Sequence, residues 1–181
     1  MLQLTLPNGV VFDEKSNKVI KFENPVKIEL EHSLRSISLW ESKYKKPFLS
    51  NKAKTVDETI DYIKMMVLDS SYDDRQLLLL TDNDLVKIRE YLEDPMTATT
   101  IHHEDSKGKS REQVTSELIY YWMISLNIPF ECQDWHIKRL LTLIDVCSVK
   151  NAPPKKHSQS ELYNRNRSLN AARRKKYNTR G

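Results

Sequence analysis

The spacing of apolar residues changes once along this chain, at Glu31, and that change limits the architectures open to it. Before it, Leu2, Leu4 and Leu6 alternate with polar residues, Pro7, Asn8 and Gly9 supply a turn, and Val10 to Phe12 resume. Alternation at a period of two marks a half-buried strand. Asp13 to Asn17 reads as a second turn. Val19, Ile20 and Phe22, then Val26, Ile28 and Leu30, continue the pattern around Pro25, which has no N–H for a ladder and favours an edge or a connection. Residues 1–30 are therefore expected to form a β-hairpin or small sheet.

Beyond Glu31 the period becomes helical. Leu34, Ile37, Leu39 and Trp40 share a face that Pro47 stops, which predicts a helix from about Ser33 to Tyr44. Thr55 and Glu58 form a capping box before Ile60, Ile63, Met66 and Val67, and Thr81 to Asp84 opens a helix carrying Leu85, Ile88 and Leu92. Thr97 to Lys109 reads as a polar loop. Ser110 to Gln113 is a further capping box, leading into Val114, Leu118, Tyr121, Trp122 and Leu126 with Pro129 as terminator. Apolar residues from Glu131 to Val149 predict one continuous helix, and its short connection from Asn127 to Phe130 predicts an antiparallel pair with the helix before it. The expected class is α+β: an N-terminal β segment (1–30), a helical body (31–149) and a basic C-terminal helical tail (150–181). The tail opens with a capping box at Ser158 and Glu161, but its apolar stripe of Leu162, Leu169, Ala171 and Ala172 is thin, so it should dock on the body or order on a partner.

Several chemistries have no support. Among 181 residues only Gly9, Gly108 and Gly181 are glycine, which leaves no clustered positions for a dinucleotide turn or a phosphate loop. Two cysteines, Cys132 and Cys147, do not make a disulfide framework, no signal peptide is evident and no apolar run reaches the ~20 residues of a membrane span, so an intracellular protein is expected. His102, His103, Glu104 and Asp105 are ligand-like, yet contiguous side chains rarely converge on one ion. On a continuous helix Cys132 and His136 would share a face at i and i+4, with Cys147 about 22 Å away at ~1.5 Å per residue, too far for a common metal. Neighbours on one helix also make a poor nucleophile and base. No catalytic residue, cofactor or metal is expected.

Charge and aromatic content point instead to surfaces. From Lys150 onward ten basic residues face the single acid Glu161, a balance of +9, which leaves −5 to the first 149 residues within the overall +4. Such a tail suits an anionic contact, and charge alone leaves nucleic acid, an acidic protein or a neighbouring copy open as partner. Its densest cations are Arg173, Arg174, Lys175 and Lys176. Tyr120, Tyr121 and Trp122, near Phe130 and Trp135, form either core or a groove for apolar segments, and Met65 and Met66 add adaptable apolar surface to the groove reading.

Four segments, EHSLRSISLWESKYKKPFL (31–49), KTVDETIDYIKMM (54–66), YYWMISLNIP (120–129) and LNAARRKKYNTRG (169–181), resemble in texture and order those of tail assembly chaperones of long-tailed bacteriophages. The resemblance implies a non-enzymatic protein of the host cytoplasm that coats the apolar, helical tape measure protein until tail tube subunits polymerise around it. On that reading the partner surface is drawn from Met65, Met66, Tyr120, Tyr121 and Trp122, chosen for their large, adaptable apolar area, with the four tail cations as an electrostatic contact. The same texture also fits a structural virion protein of the tail or head-tail junction, whose basic tail contacts a neighbouring subunit or DNA.

Overall fold

The computed structural model describes residues 1–13, 17–69, 72–100, 113–152 and 159–178. The chain is α+β and divides into two compact units, Met1–Val149 and Lys150–Gly181. In the first, β1 (Leu2–Leu6) pairs antiparallel with β4 (Val26–Leu30), and β2 (Gly9–Asp13) with β3 (Lys18–Phe22). The four strands make one long hairpin broken in the middle. Leu6 faces Val26 and Gly9 faces Phe22, so Pro7 and Asn8 on one side stand against Glu23 to Pro25 on the other, and the register slips by one residue. Both prolines fall in this break, where no ladder donor is required. The buried side chain of Gln76 bridges it, donating from Nε2 to the carbonyls of Pro7 (3.1 Å) and Asn24 (3.2 Å).

The β1–β4 ladder buries Leu4, Leu6, Ile28 and Leu30 and leaves Gln3 and Glu29 hydrogen-bonded on the other face (2.8 Å). These leucines and isoleucines join the same core as the helices, so residues 1–30 are a wall of the body rather than a separate domain. Helix α1 (Leu34–Tyr44) starts at a Ser33–Ser36 capping box and lies against α2 (Val56–Met66), which starts at the Thr55–Glu58 box. Trp40, wholly buried on α1, donates its indole N–H to the Glu58 carbonyl (2.9 Å). A 3₁₀ helix, Asp74–Leu79, packs on β2, and α3 (Asp82–Glu93) follows from the Thr81–Asp84 box.

Three readings of the sequence are corrected. The fourth helix, α4 (Ser116–Ser125), is capped by Thr115 rather than by Ser110, which lies outside the described residues, and Gln113 and Val114 precede the helix. The segment from Glu131 to Val149 is not one helix: a 3₁₀ helix, Phe130–Asp134, gives way to extended Trp135 before α5 (Ile137–Asn151) begins. The cause is tertiary, because His136 forms a β-bridge with Ser33 and the Ile137 N–H is taken by the His32 carbonyl (2.7 Å). Apolar spacing alone cannot register such a pairing. With eleven residues between the two helices instead of four, α4 is free to make its main helix contact with α1 rather than with α5. In the second unit α6 spans Gln159–Tyr177.

Glu31, His32 and Ser33 form a buried polar junction where these segments meet. The Glu31 N–H donates to the Met66 carbonyl and the Leu68 N–H to the Glu29 carbonyl, both at 2.9 Å, so the exit of α2 runs along β4. Glu31 accepts a 2.5 Å hydrogen bond from the Tyr91 hydroxyl. His32 Nδ1 meets the Tyr62 hydroxyl, which also lies 3.2 Å from Ser36 Oγ. The His136 ring stands edge-on to that of His32 at 5.1 Å, with Nε2 bonded to the Tyr91 carbonyl (3.1 Å) and Nδ1 accepting the Lys138 N–H (3.3 Å). Burial, then the nearby charges of His136, Lys138 and Lys54, pushes the His32 pKa down to about 3; burial likewise lowers that of His136.

Because the unfolded imidazole titrates near 6.5, the unfolded chain binds the extra proton first as pH falls, and stability is lost from that point down towards the folded value. Urea titrations should show stability falling by up to about 1.4 kcal/mol per pH unit from His32 alone between pH 6.5 and 5, a range above most carboxylate titration. His32→Gln should flatten that slope. An equal slope in the variant would remove the junction from the account.

Candidate functional site

Helix α4 has more apolar side chains than one face can bury. Ile119 and Met123 point inward and are wholly buried, and Leu118, Tyr120 and Trp122 are half-buried on the flanks. At 100° per residue, Glu117, Tyr121 and Ile124 must then point outward. Tyr121 is 63% exposed and Ile124 60%, and Phe130 on the adjoining 3₁₀ helix is 53% exposed. Tyr120 joins α4 to that 3₁₀ helix, its ring 6.3 Å from that of Phe130 and its hydroxyl donating to Gln133 Oε1 (2.9 Å). Isolated apolar side chains at a surface are ordinary, whereas an outward helix face that carries Tyr121 and Ile124 one turn apart is suited to a partner.

The start of α4 is pinned by Glu41, a buried carboxylate on α1. Its Oε2 accepts from the Ser116 N–H (2.7 Å) and hydroxyl (2.6 Å), and its Oε1 from the Phe48 N–H (2.7 Å). Two of these donors are backbone groups, one from the first turn of α4 and one from the loop after α1, so a single side chain fixes both. Beside it lie two clefts that share Lys45, Lys46 and Pro47. One, of ≈ 380 Å³, reaches Glu41, Thr115 and Glu117 at the head of α4. The other, of ≈ 270 Å³, is floored by Trp40 and lined by Lys45, Lys46, Lys52 and Lys54 with the single carboxylate Glu58.

The residues expected at a partner site separate in the fold. Met66 is withdrawn from the surface: it is wholly buried, its side chain filling the core where α2 meets β4. Met65 is half-buried against the same core. Tyr120 and Trp122 contribute edges and Tyr121 its whole face. The methionines and the aromatics sit on α2 and α4, each packed on α1. Arg173, Arg174, Lys175 and Lys176 are exposed on α6, and four consecutive helical residues span most of the circumference, so they ring the helix rather than form one stripe. Ile124 and the lysines were missed, whereas Phe130, expected beside the aromatics, is exposed. The lysines had a signal in the sequence, since residues 43–54 hold five lysines and no acid.

The chemistry of the remaining candidates is limited. Cys132 is buried, its thiol pushed up by burial first, and extended Trp135 breaks the helical face it would share with His136. His102, His103, Glu104 and Asp105 lie outside the described residues. Among the described residues no group of three His, Cys, Asp or Glu side chains could hold a metal ion, and no helix is long and apolar enough to cross a membrane. No protein-family model, curated protein or solved structure matches the chain.

The two faces of α4 should separate cleanly in unfolding experiments. Ile119→Ala or Met123→Ala should cost about 2–5 kcal/mol, whereas Tyr121→Ser and Ile124→Ser should each stay within about 0.5 kcal/mol of the parent. Glu41→Ala leaves buried donors at Ser116 and Phe48 unpaired and should cost about 1–3 kcal/mol. Comparable losses on the two faces of α4 would show that the open face is in fact packed.

Proposed function

We propose that this protein is a phage tail assembly chaperone that covers the apolar surface of a tape measure protein during tail morphogenesis, in the host cytoplasm and without enzymatic activity. The open face of α4, Tyr121 and Ile124 with Phe130 beside them, is the observation that carries this reading. Three of the four segments that resemble the chaperone family, 31–49, 54–66 and 120–129, supply α1, α2 and most of α4, the helices packed around α1. The activity needs no covalent step and no nucleotide. A protein that binds exposed apolar surface lowers the free concentration of the aggregating species by mass action, and a tail tube subunit that packs more tightly can displace it.

The +9 balance of the tail favours a second reading, a virion component that touches a neighbouring subunit or DNA. The two differ in where the protein ends up. A chaperone is absent from purified virions, and a structural component is present in a fixed ratio to the other tail proteins.

Co-expression provides the direct test. With the parent protein, the tape measure partner should stay in the soluble fraction; with Tyr121→Ser and Ile124→Ser combined, at unchanged melting temperature, its soluble share should fall several-fold. A partner equally soluble with the double variant, or with no chaperone at all, would sink the proposal.

A further inference from the structure

The lysine-lined cleft beside α1 is unexplained by packing. Four lysines surround ≈ 270 Å³ of space, and the one carboxylate among them is already committed. Glu58 accepts from Lys46 Nζ (2.5 Å) through one oxygen and from the Thr55 N–H (2.9 Å) through the other. Lys54 makes no direct ion pair among the described residues, although the charge of Glu58 reaches it: its ammonium donates to the Phe48 carbonyl (2.9 Å) and lies 4.1 Å from the centre of the Phe48 ring. Burial lowers the pKa of Lys54 and the charge of Glu58 offsets only part of that, so a further anion beside it would favour the charged ammonium. Lys45 and Lys52 are exposed and make no direct ion pair among the described residues, Lys45 acting on Glu117 only through its charge. Lys45 also ends α1 at a positive φ of 55°, a conformation that glycine or asparagine adopts more readily, and this turns the chain into Pro47 at the cleft wall.

The cleft does not stop at the lysines. Through Lys45, Lys46 and Pro47 it continues to Thr115 and Glu117, and from Glu117 the open stripe of α4 runs on to Tyr121 and Ile124, about 10 Å further at ~1.5 Å per residue. The groove is thus basic at one end, carries a carboxylate midway and is apolar at the other. That order decides the class of ligand. Glu117 is held charged, chiefly by a backbone N–H at its own carboxylate, and a strand with one phosphate every ~3.4 Å would set charge against it. A polypeptide can place carboxylates at the lysine end alone and apolar side chains beyond them.

We propose that the lysine cleft over Trp40 and Pro47 binds the carboxylates of an acidic segment in a protein partner, whose apolar stripe continues along α4. The apolar half rests on the function proposed above; the acidic half rests on the cleft itself. The lysines then set the direction in which a partner helix lies, because only one of its ends can carry the acids.

The probes are two fluorescein-labelled helical peptides of about 20 residues, one of Leu, Ala and Glu and one with every Glu replaced by Gln, and a single-stranded DNA of similar length. Binding is read by anisotropy at ~0.1 M salt, where charges further apart than about 10 Å are screened. The full-length protein should bind the Glu peptide about tenfold more tightly than the Gln peptide, and Lys45→Glu combined with Lys52→Glu, at unchanged melting temperature, should erase that ratio. Lys45→Gln with Lys52→Gln should give an intermediate loss. Replacing Arg173, Arg174, Lys175 and Lys176 with Ala should leave the ratio intact. No preference for Glu, a preference that survives the cleft variants, or one lost with the tail variant would overturn the proposal. So would DNA binding that depends on Lys45 and Lys52, or self-association in sedimentation that the same variants abolish, which would assign the cleft to another copy of this chain. Tyr121→Ser with Ile124→Ser should weaken both peptides equally. If it weakens neither while the cleft variants still erase the ratio, the acidic site stands and the α4 reading falls.

Discussion

The fold depends on satisfying polar groups at one buried place, the turn from β4 into α1. Glu31, His32 and Ser33 carry three ionisable or hydroxyl side chains and three peptide units into a region with little access to water. An unpaired buried group costs about 1–3 kcal/mol, more if charged, so the junction is favourable only with every partner in place. Those partners come from the exit of α2, the end of α3 and the entry of α5. The polar contacts thus specify which segments meet, while apolar residues around them, Leu30, Leu34, Ile37 and Met66 among them, are wholly buried.

Elements governed by local rules were legible in the sequence. The strands follow the alternating spacing, most clearly in Leu2, Leu4 and Leu6, and the boxes at Thr55 and Thr81 set helix starts to the residue, because capping is decided within four positions; the box expected at Ser110 gave way to a cap at Thr115. Where the outcome is set at a distance, the reading failed. Trp135 and His136 have helical spacing but are drawn into extended backbone by a strand pairing about a hundred residues away. Met66 and Tyr121 carry equally plausible apolar side chains for a surface; only the position of α1 and β4 determines that one is buried and the other open. The lysines were visible one by one, but the chain must fold around Pro47 before Lys45 and Lys52 line one cleft.

The open face of α4 is held by contacts that lie behind it. Glu41 ties the head of the helix to α1 and to the loop bearing Phe48, and Phe48 in turn stacks with Tyr62 (4.1 Å between ring centres), which contacts His32. The aromatic surface and the lysine cleft therefore share one rigid backing. A surface positioned in this way loses little conformational freedom on contact, which leaves more of the gross interaction as affinity.

The bridge from Ser33 to His136 also has a consequence during synthesis. Residues near the start of the chain wait for partners made much later: Met66 and Tyr91 first, then His136 and Ile137. At about 5–20 residues per second, the translation of the stretch between Glu31 and Ile137 takes roughly 5–20 s. Until Ile137 is made, the junction lacks its last partners, those from the entry of α5. A nascent chain that stalls before Ile137 presents strands and amphipathic helices without the closure that orders them. Such a fragment would itself be a client for chaperones of the cell in which it is made.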